Sequence, residues 1–348
     1  MKHNLTALKV SEENDSVLEI GSEFWDAPLL SYCNNLFPKS TQWFLSGRAA
    51  LKAIISNIKG AKTVAIPSWC CDSIIKPFFD AGYKICFYPV YLEKTLIQKL
   101  NLNCDVLFVM DFFGYSSKKP DLKGYKGIVI RDVTHSLFSK SYNDADYYFG
   151  SLRKWCGIAT GGYLWGKPTY PSTFSNMHYI ELRRKSMDAK AEYISNGCIG
   201  NKDFLHTFNE AEELLVNLDS EMADSRDIDV AKRVDEKFIH KRRQKNAKVL
   251  MNAFSNQLIF KSINHNDCPM FVPIMVPYGK RDALRQYLIN HSIYCPAHWP
   301  LSEYHLIEDV REKKLYEDEL SLVCDQRYTE DDMYRLVDTI NKFWVEEL

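Results

Sequence analysis

From about residue 43 the hydrophobic positions alternate between two periods. In GRAALKAIISNIKG, starting at Gly47, they recur at helical spacing and stop at Gly60, whereas TVAIP is a short β-branched run. CDSIIKPFFDAG is helical again, and KICFYPV, CDVLFVMD and GIVIRD are apolar runs that end in polar residues. This βαβ rhythm predicts an α/β fold built on a mostly parallel sheet. Such sheets bind ligands beyond the carboxyl ends of their strands, so the stretches of interest are Pro67 to Cys71, Asp111 to Gly114 and Asp132 to His135.

The pattern changes after Tyr170. From about Ile180 to Phe254 the chain is charged, helical in period and almost free of glycine. Within it, KFIHKRRQKNAKVL sets basic residues against an apolar stripe at Phe238, Val249 and Leu250, which reads as the solvated face of a long helix rather than a nucleic-acid patch. The remainder predicts a smaller α+β unit: LIFKSI, MFVPIMV, a helix around RDALRQYLINHS, a short IYCPAHWP segment, SLVCDQRY, and a last helix from about Thr329 with acidic residues in its first turn. The expected organisation is a large unit over 1–250, with an N-terminal arm over about 1–40, and a small unit over 251–348. No internal repeat or low-complexity linker interrupts it.

Composition narrows the partners. A chain of 348 residues divides more readily into two units than into one core. With 44 lysines and arginines against 45 aspartates and glutamates, it has no global field to gather nucleic acid or an anionic membrane. The ten cysteines are scattered through apolar runs without a CxxC pair, as expected of small buried hydrophobes in a reducing cytoplasm. MKHNLTALKVSEENDSVLEIG lacks the apolar centre of a signal peptide, and no apolar run reaches the length of a membrane span. No metal-ligand spacing occurs, the His298 to His305 interval included, and GxGxxG, Walker and GxSxG motifs are absent.

Chemistry concentrates at the strand ends. Asp132 closes a β-branched run and His135 follows three residues later; alone, they are a turn aspartate beside a structural histidine. About twenty residues on, after the strand-like DYYFGS, comes GSLRKWCGIATGGYLWG. A lysine there, Lys154, in an apolar surround of Leu152, Trp155 and Ile158, would lose its ammonium proton by desolvation and become a usable amine for a Schiff base. An aspartate in the same crevice would keep the pyridine nitrogen of pyridoxal 5'-phosphate protonated and the ring an electron sink. FLSGRAALKAII supplies a phosphate cradle: Ser46 and Gly47 begin a helix whose free N–H groups attract an anion, Arg48 adds a charged fork, and Ser151 brings a hydroxyl from the opposite side.

These segments, in order, resemble the sugar aminotransferases of the DegT–StrS group within the fold-type I pyridoxal-phosphate superfamily. FLSGRAAL resembles the family's phosphate segment, IPSWCCDSIIKPFFDAGYKICFYPV the segment beneath the cofactor, and FVMDFFGY the central strand and glycine turn. IRDVTHS is similar to its aspartate-x-x-glutamine or histidine motif, and SLRKW with TGGYLWG to its Schiff-base lysine and glycine pair. IYCPAHWPL and LSLVCDQRYTEDDM resemble its small-domain substrate loop and final strand and helix.

The resemblance implies the fold-type I architecture, with a large domain holding a mostly parallel seven-stranded sheet flanked by helices and a small α+β C-terminal domain. It implies that Lys154 links covalently to the cofactor and moves the reacting proton, that Asp132 pairs with the ring nitrogen, that His135 contacts the ring or its hydroxyl, and that Ser46, Gly47 and Ser151 hold the phosphate. Arg48 stands where the family has threonine. The ring-stacking aromatic falls on Cys71, with Trp69 two residues earlier, so the ring is covered either by Trp69 through a shifted turn or by His135. His298 corresponds to the substrate-loop histidine, and Arg327 stands where a small-domain arginine would grip a donor carboxylate, an ion pair within the fold being the other reading. The implied reaction moves an amino group from an amino acid, glutamate first, to a keto sugar carried on a nucleotide, for polysaccharide or secondary-metabolite synthesis, in a cytoplasmic homodimer with its site at the subunit interface. The alternatives are other chemistry on the same cofactor and a protein that keeps the fold without turnover.

Overall fold

The computed structural model describes residues 18–116, 121–139, 144–170, 174–219, 221–305 and 307–347. The signal-peptide reading rests on the first 17 residues and lies outside the described residues. The chain runs through β1 (Ile20–Gly21), β2 (Gln42–Phe44), α1 (Gly47–Asn57), β3 (Thr63–Pro67), α2 (Asp72–Asp80) and β4 (Lys84–Tyr88). A hairpin of β5 (Val90–Leu92) and β6 (Leu96–Gln98) follows, then β7 (Val106–Met110), β8 (Ile128–Asp132), β9 (Tyr147–Ser151) and β10 (Gly162–Gly166). After α3 (Met177–Ser195), α4 (Phe204–Val216), α5 (Ser225–Ala231) and α6 (Glu236–Ala253) come β11 (Phe271–Met275), α7 (Arg281–Asn290) and β12 (Ile293–Tyr294). The last elements are α8 (Val310–Asp318), β13 (Glu319–Val323) and α9 (Glu330–Glu347).

Seven strands form one sheet in the order β2-β10-β9-β8-β7-β3-β4. The pairs β4/β3, β3/β7, β7/β8 and β8/β9 are parallel, and β10 runs antiparallel to both of its neighbours. The reversal has a simple cause. Only ten residues join β9 to β10, and a parallel return would need a longer crossover. VLFVM of β7 is buried at every position, as a central strand covered on both faces requires.

The C-terminal half packs around α6 and α9, with β11 and β13 as an antiparallel pair. The N-terminal segment joins this half, since β1 pairs in parallel with β12. Two expectations change here. LIFKSI makes a single bridge, Leu258 to Ile274, because Pro273 accepts from the Ile259 N–H and has no N–H to return. On α6 the buried face is Ile239, Arg243, Asn246, Ala247, Leu250 and Met251, whereas Phe238 is exposed and Val249 half-buried. The stripe is displaced because Arg243 and Asn246 find buried partners: Asn246 Nδ2 donates to the carbonyls of Asp325 and Tyr328 at 3.1 and 2.9 Å.

Candidate active site

The parallel strands β3, β7, β8 and β9 end on one edge of the sheet, and the chemistry-bearing side chains follow those ends. Strand alternation sends Arg131 and Asp132 to opposite faces. Arg131 is buried against Asp111 at 2.6 Å and Asp144 at 2.7 Å, and the Ser136 hydroxyl donates to the other oxygen of Asp111 at 2.7 Å. Asp132 is buried too, and it has no cation beside it among the described residues. One of its oxygens accepts the Thr134 N–H at 2.8 Å; burial pushes the carboxyl up to about 6. His135 Nδ1 accepts the Phe113 N–H at 3.3 Å, which places the ring proton on Nε2. Burial and, secondarily, the charge of Lys154 lower His135 to about 3, so the ring is neutral.

Lys154 ends the 3-10 turn Leu152–Lys154 that follows β9. The apolar surround expected for it is not found: Leu152, Trp155 and Ile158 turn into the core, while Lys154 is exposed. Among the described residues it makes no hydrogen bond or ion pair. What fixes the turn is Trp155. Its indole N–H donates to the Thr134 carbonyl at 2.6 Å, its own carbonyl accepts from Gln326 Nε2 at 2.5 Å, and the Arg243 guanidinium lies 4.4 Å from its ring centroid. The lysine turn is thereby tied to the Asp132–His135 turn, to α6 and to the loop after β13.

Ser46, Gly47 and Ser151 come together as expected. A Cβ on Gly47 would stand 3.3 Å from the Cβ of Ser151, and one on Gly162 would stand 2.0 Å from the Ser46 carbonyl oxygen. A side chain is blocked at Gly162, whereas at Gly47 a Cβ would only be in tight contact. Ser46 Oγ is engaged as the N-cap of α1, accepting the Ala49 N–H at 3.1 Å. The Ser151 hydroxyl has no hydrogen-bond partner among the described residues, and Arg48, half-buried in the first turn of α1, has no ion-pair partner there either.

A cavity of about 480 Å³ lies between the lysine turn and the C-terminal half; Lys154, His135, His298, Arg243, Arg285 and Arg327 are among its lining residues. Glu212 on its wall bridges Arg153 and Arg183; burial opposes its charge, but the two arginines hold it down to about 2. Arg327 does not present a free fork. Asp325 takes it through Nε at 2.9 Å and Nη2 at 2.8 Å, and the carbonyls of Glu23 and Ser22 accept from Nη1 and Nη2 at 3.0 and 3.2 Å. Of the two readings of Arg327, the ion pair within the fold is formed, and the residue still lines the cavity. Three other cations on the cavity wall, Lys154, Arg243 and Arg285, have no carboxylate partner among the described residues.

Trp69 is fully buried, stacked on Phe112 at a centroid distance of 5.2 Å, with its indole N–H donating to the His298 carbonyl at 2.7 Å. It serves here as a tie between the end of β3 and the C-terminal loop. Cys71 Sγ lies 2.8 Å from Ser73 Oγ; burial pushes the thiol up, Asp132 adds to that and Lys154 opposes it. His298 Nδ1 lies 2.8 Å from Ser321 Oγ. Burial, and after it the proximity of His135 and Lys154, push its imidazolium pKa far down. Trp299, whose ring lies 5.8 Å from that of His135 at 20°, and Arg243 and Glu319 were not foreseen; the WP pair and the basic run of α6 were their only traces in the sequence.

No family model and no curated protein matches the chain. Solved structures do. A Helicobacter pylori aminotransferase of pseudoaminic acid biosynthesis, PseC, superposes with a TM-score of 0.57 at 13% identity, over 92% of this chain and 99% of its own. A DegT DnrJ EryC1 StrS aminotransferase from Brucella abortus gives 0.58 at 13% identity, over 87% and 85%. NtdA from Bacillus subtilis, solved with bound cofactor PMP, gives 0.58 at 12% identity, over 88% and 74%. At these identities the likeness is one of fold, and the fold is the one that the ordered motifs implied: the chain has the fold-type I architecture of these aminotransferases.

Proposed function

We propose that the chain is a pyridoxal-phosphate-dependent aminotransferase that moves an amino group from an amino acid, glutamate first, to the keto group of a nucleotide-linked sugar for polysaccharide or secondary-metabolite synthesis. The observation that carries this reading is a pair of uncompensated groups at neighbouring strand ends: a buried aspartate, Asp132, without a cation, and a lysine, Lys154, without a partner among the described residues. The residues fit the cofactor. Asp132 suits a protonated ring nitrogen, and the Ser46–Gly47–Ser151 cradle, with Arg48 beside it, suits a phosphate. When bound, pyridoxal phosphate supplies an electron sink for the bond broken at the substrate carbon.

The chain's own groups supply the rest. Lys154 holds the cofactor and carries the reacting proton. His135 is neutral and offers an Nε2–H to the ring or its hydroxyl. With Trp69 enclosed by Phe112 and the His298 carbonyl, His135 is the better placed of the two to cover the ring. Arg243 and Arg285 attract an anionic substrate, the part that Arg327 would have played. The exposure of Lys154 in a single chain supports a site completed by a second copy, hence a homodimer. No helix among the described residues is long and apolar enough to cross a membrane. A second reading, other chemistry on the same cofactor, draws on the closure of the Arg327 fork by Asp325.

The test is optical. Purified protein given pyridoxal phosphate should develop a near-visible absorbance band that Lys154→Ala abolishes; a native protein without the band overturns the assignment. Glutamate should then convert the band to that of the amine form of the cofactor. A band indifferent to every amino acid tried would replace transamination by the second reading.

A further inference from the structure

His298, Ser321 and Glu319 close a hydrogen-bonded ring behind the cavity. The His298 backbone N–H donates to Glu319 Oε2 at 2.6 Å, the Ser321 hydroxyl donates to Glu319 Oε1 at 2.5 Å, and His298 Nδ1 lies 2.8 Å from Ser321 Oγ. Glu319 and Ser321 stand two apart on β13 and so share one face of the strand; both are fully buried. His298 lines the cavity together with Lys154 and His135.

The single hydroxyl proton of Ser321 has two claimants, and this couples the far ends of the ring. While Glu319 is ionised it takes that proton, Ser321 Oγ accepts from His298 Nδ1–H, and Nε2 is left with a bare lone pair. Once Glu319 is protonated its O–H donates to Ser321 Oγ, the hydroxyl turns toward Nδ1, and the imidazole proton sits on Nε2.

We propose that Ser321 and Glu319 are positioning residues that make His298 a proton relay, so that a proton taken up from the cavity at Nε2 comes to rest on Glu319. The proposal rests on the reading of the cavity as an active site. Each bond is accounted for: N–H forms at Nε2 and breaks at Nδ1, O–H forms and breaks at Ser321, and O–H forms at Glu319 Oε1. The imidazole ends neutral and the only charge lost is that of the carboxylate. The relay removes a difficulty, because burial and the neighbouring His135 and Lys154 make a lasting imidazolium unfavourable at His298. Glu319 is the group able to keep the proton. Burial pushes it up to about 8, against the pull of Ser321, the His298 N–H and Arg281 on α7, and Cys295 is the other titratable group that senses it.

The full-length protein with ¹⁵N-labelled histidine tests this by NMR, the His298 signals being identified by their loss in His298→Asn. The proton should move from Nδ1 to Nε2 as the pH falls through about 8. In Glu319→Gln the amide NH₂ donates to Ser321 Oγ as the protonated acid does, so the Nε2–H form should persist at every pH. Ser321→Ala cuts the chain of hydrogen bonds and should abolish the switch, which keeps the relay testable even where Glu319→Gln does not fold. A native tautomer that ignores pH, or a switch that survives in either variant, overturns the relay. The readout requires no cofactor, so its failure is distinct from failure of the absorbance test.

Discussion

Asp132 is a burden to the protein without cofactor, which is why it is informative. Its carboxyl is raised from the ordinary 3.8 to about 6, chiefly by burial, so the folded chain binds this proton more readily than the unfolded one. The resulting destabilisation is absent below the unfolded value, grows as the pH rises from about 4 to about 6, and is complete above that, at about 3 kcal/mol. Asp132→Asn should therefore raise the melting temperature of the cofactor-free protein at pH 8, with the gain fading at pH 4, and should weaken pyridoxal-phosphate binding at least about tenfold. Melting curves at the two pH values and an absorbance titration check this; a variant less stable at pH 8 would contradict it. The placement of Lys154, Asp132 and His135 was legible because it follows strand ends. Arg327 carried two readings for the opposite reason: the turn after β13 folds Asp325 back onto its fork, and only that geometry shows the ion pair formed.

At the scale of elements, the proposed phosphate cradle is a junction of three pieces: the end of β2, the first turn of α1 and the return from β9 to β10. Gly162→Ala would place a Cβ 2.0 Å from the Ser46 carbonyl oxygen and should cost about 1–3 kcal/mol together with cofactor affinity. Ser46→Ala should cost about 1 kcal/mol through the lost cap, whereas Ser46→Gly should stay within a few tenths. Urea unfolding separates the three; equal losses for alanine and glycine at position 46 would remove capping as the cause. The β-branched and apolar runs became β3, β4, β7 and β8 as expected, and the terminal helix carries Glu330, Asp331 and Asp332 in its first turn. Among the strands of two or three residues, β1, β2, β5 and β6 were invisible because so few positions have no period.

For the whole molecule the governing quantity is the charge left on the cavity wall after the internal pairs are formed. Asp325 cancels Arg327, and Glu212 and Glu23 together balance Arg153 and Arg183, leaving Arg243, Arg285 and Lys154. Arg285 is exposed on α7 and holds no partner among the described residues, so Arg285→Ala should leave the melting temperature unchanged. It should raise the KM of an anionic donor about three- to tenfold with little change in kcat, and added salt should narrow the difference. Steady-state kinetics at two ionic strengths decide this. An unchanged KM would move anion recognition to Arg243 alone.

By itself the sequence determined the local quantities: hydrophobic period, hence the order of helices and strands; the chemistry placed at strand ends; and the glycines beside Ser46 and Ser151. Tertiary structure decided which distant groups meet. Trp69 is held by the carbonyl of His298, 229 positions away, β1 pairs with β12, and His298 is joined to Glu319 through Ser321. The division has a physical reason. Periodicity records which face of an element is buried, whereas hydrogen bonding, ion pairing and proton affinity depend on what the sheet order and packing bring to that face.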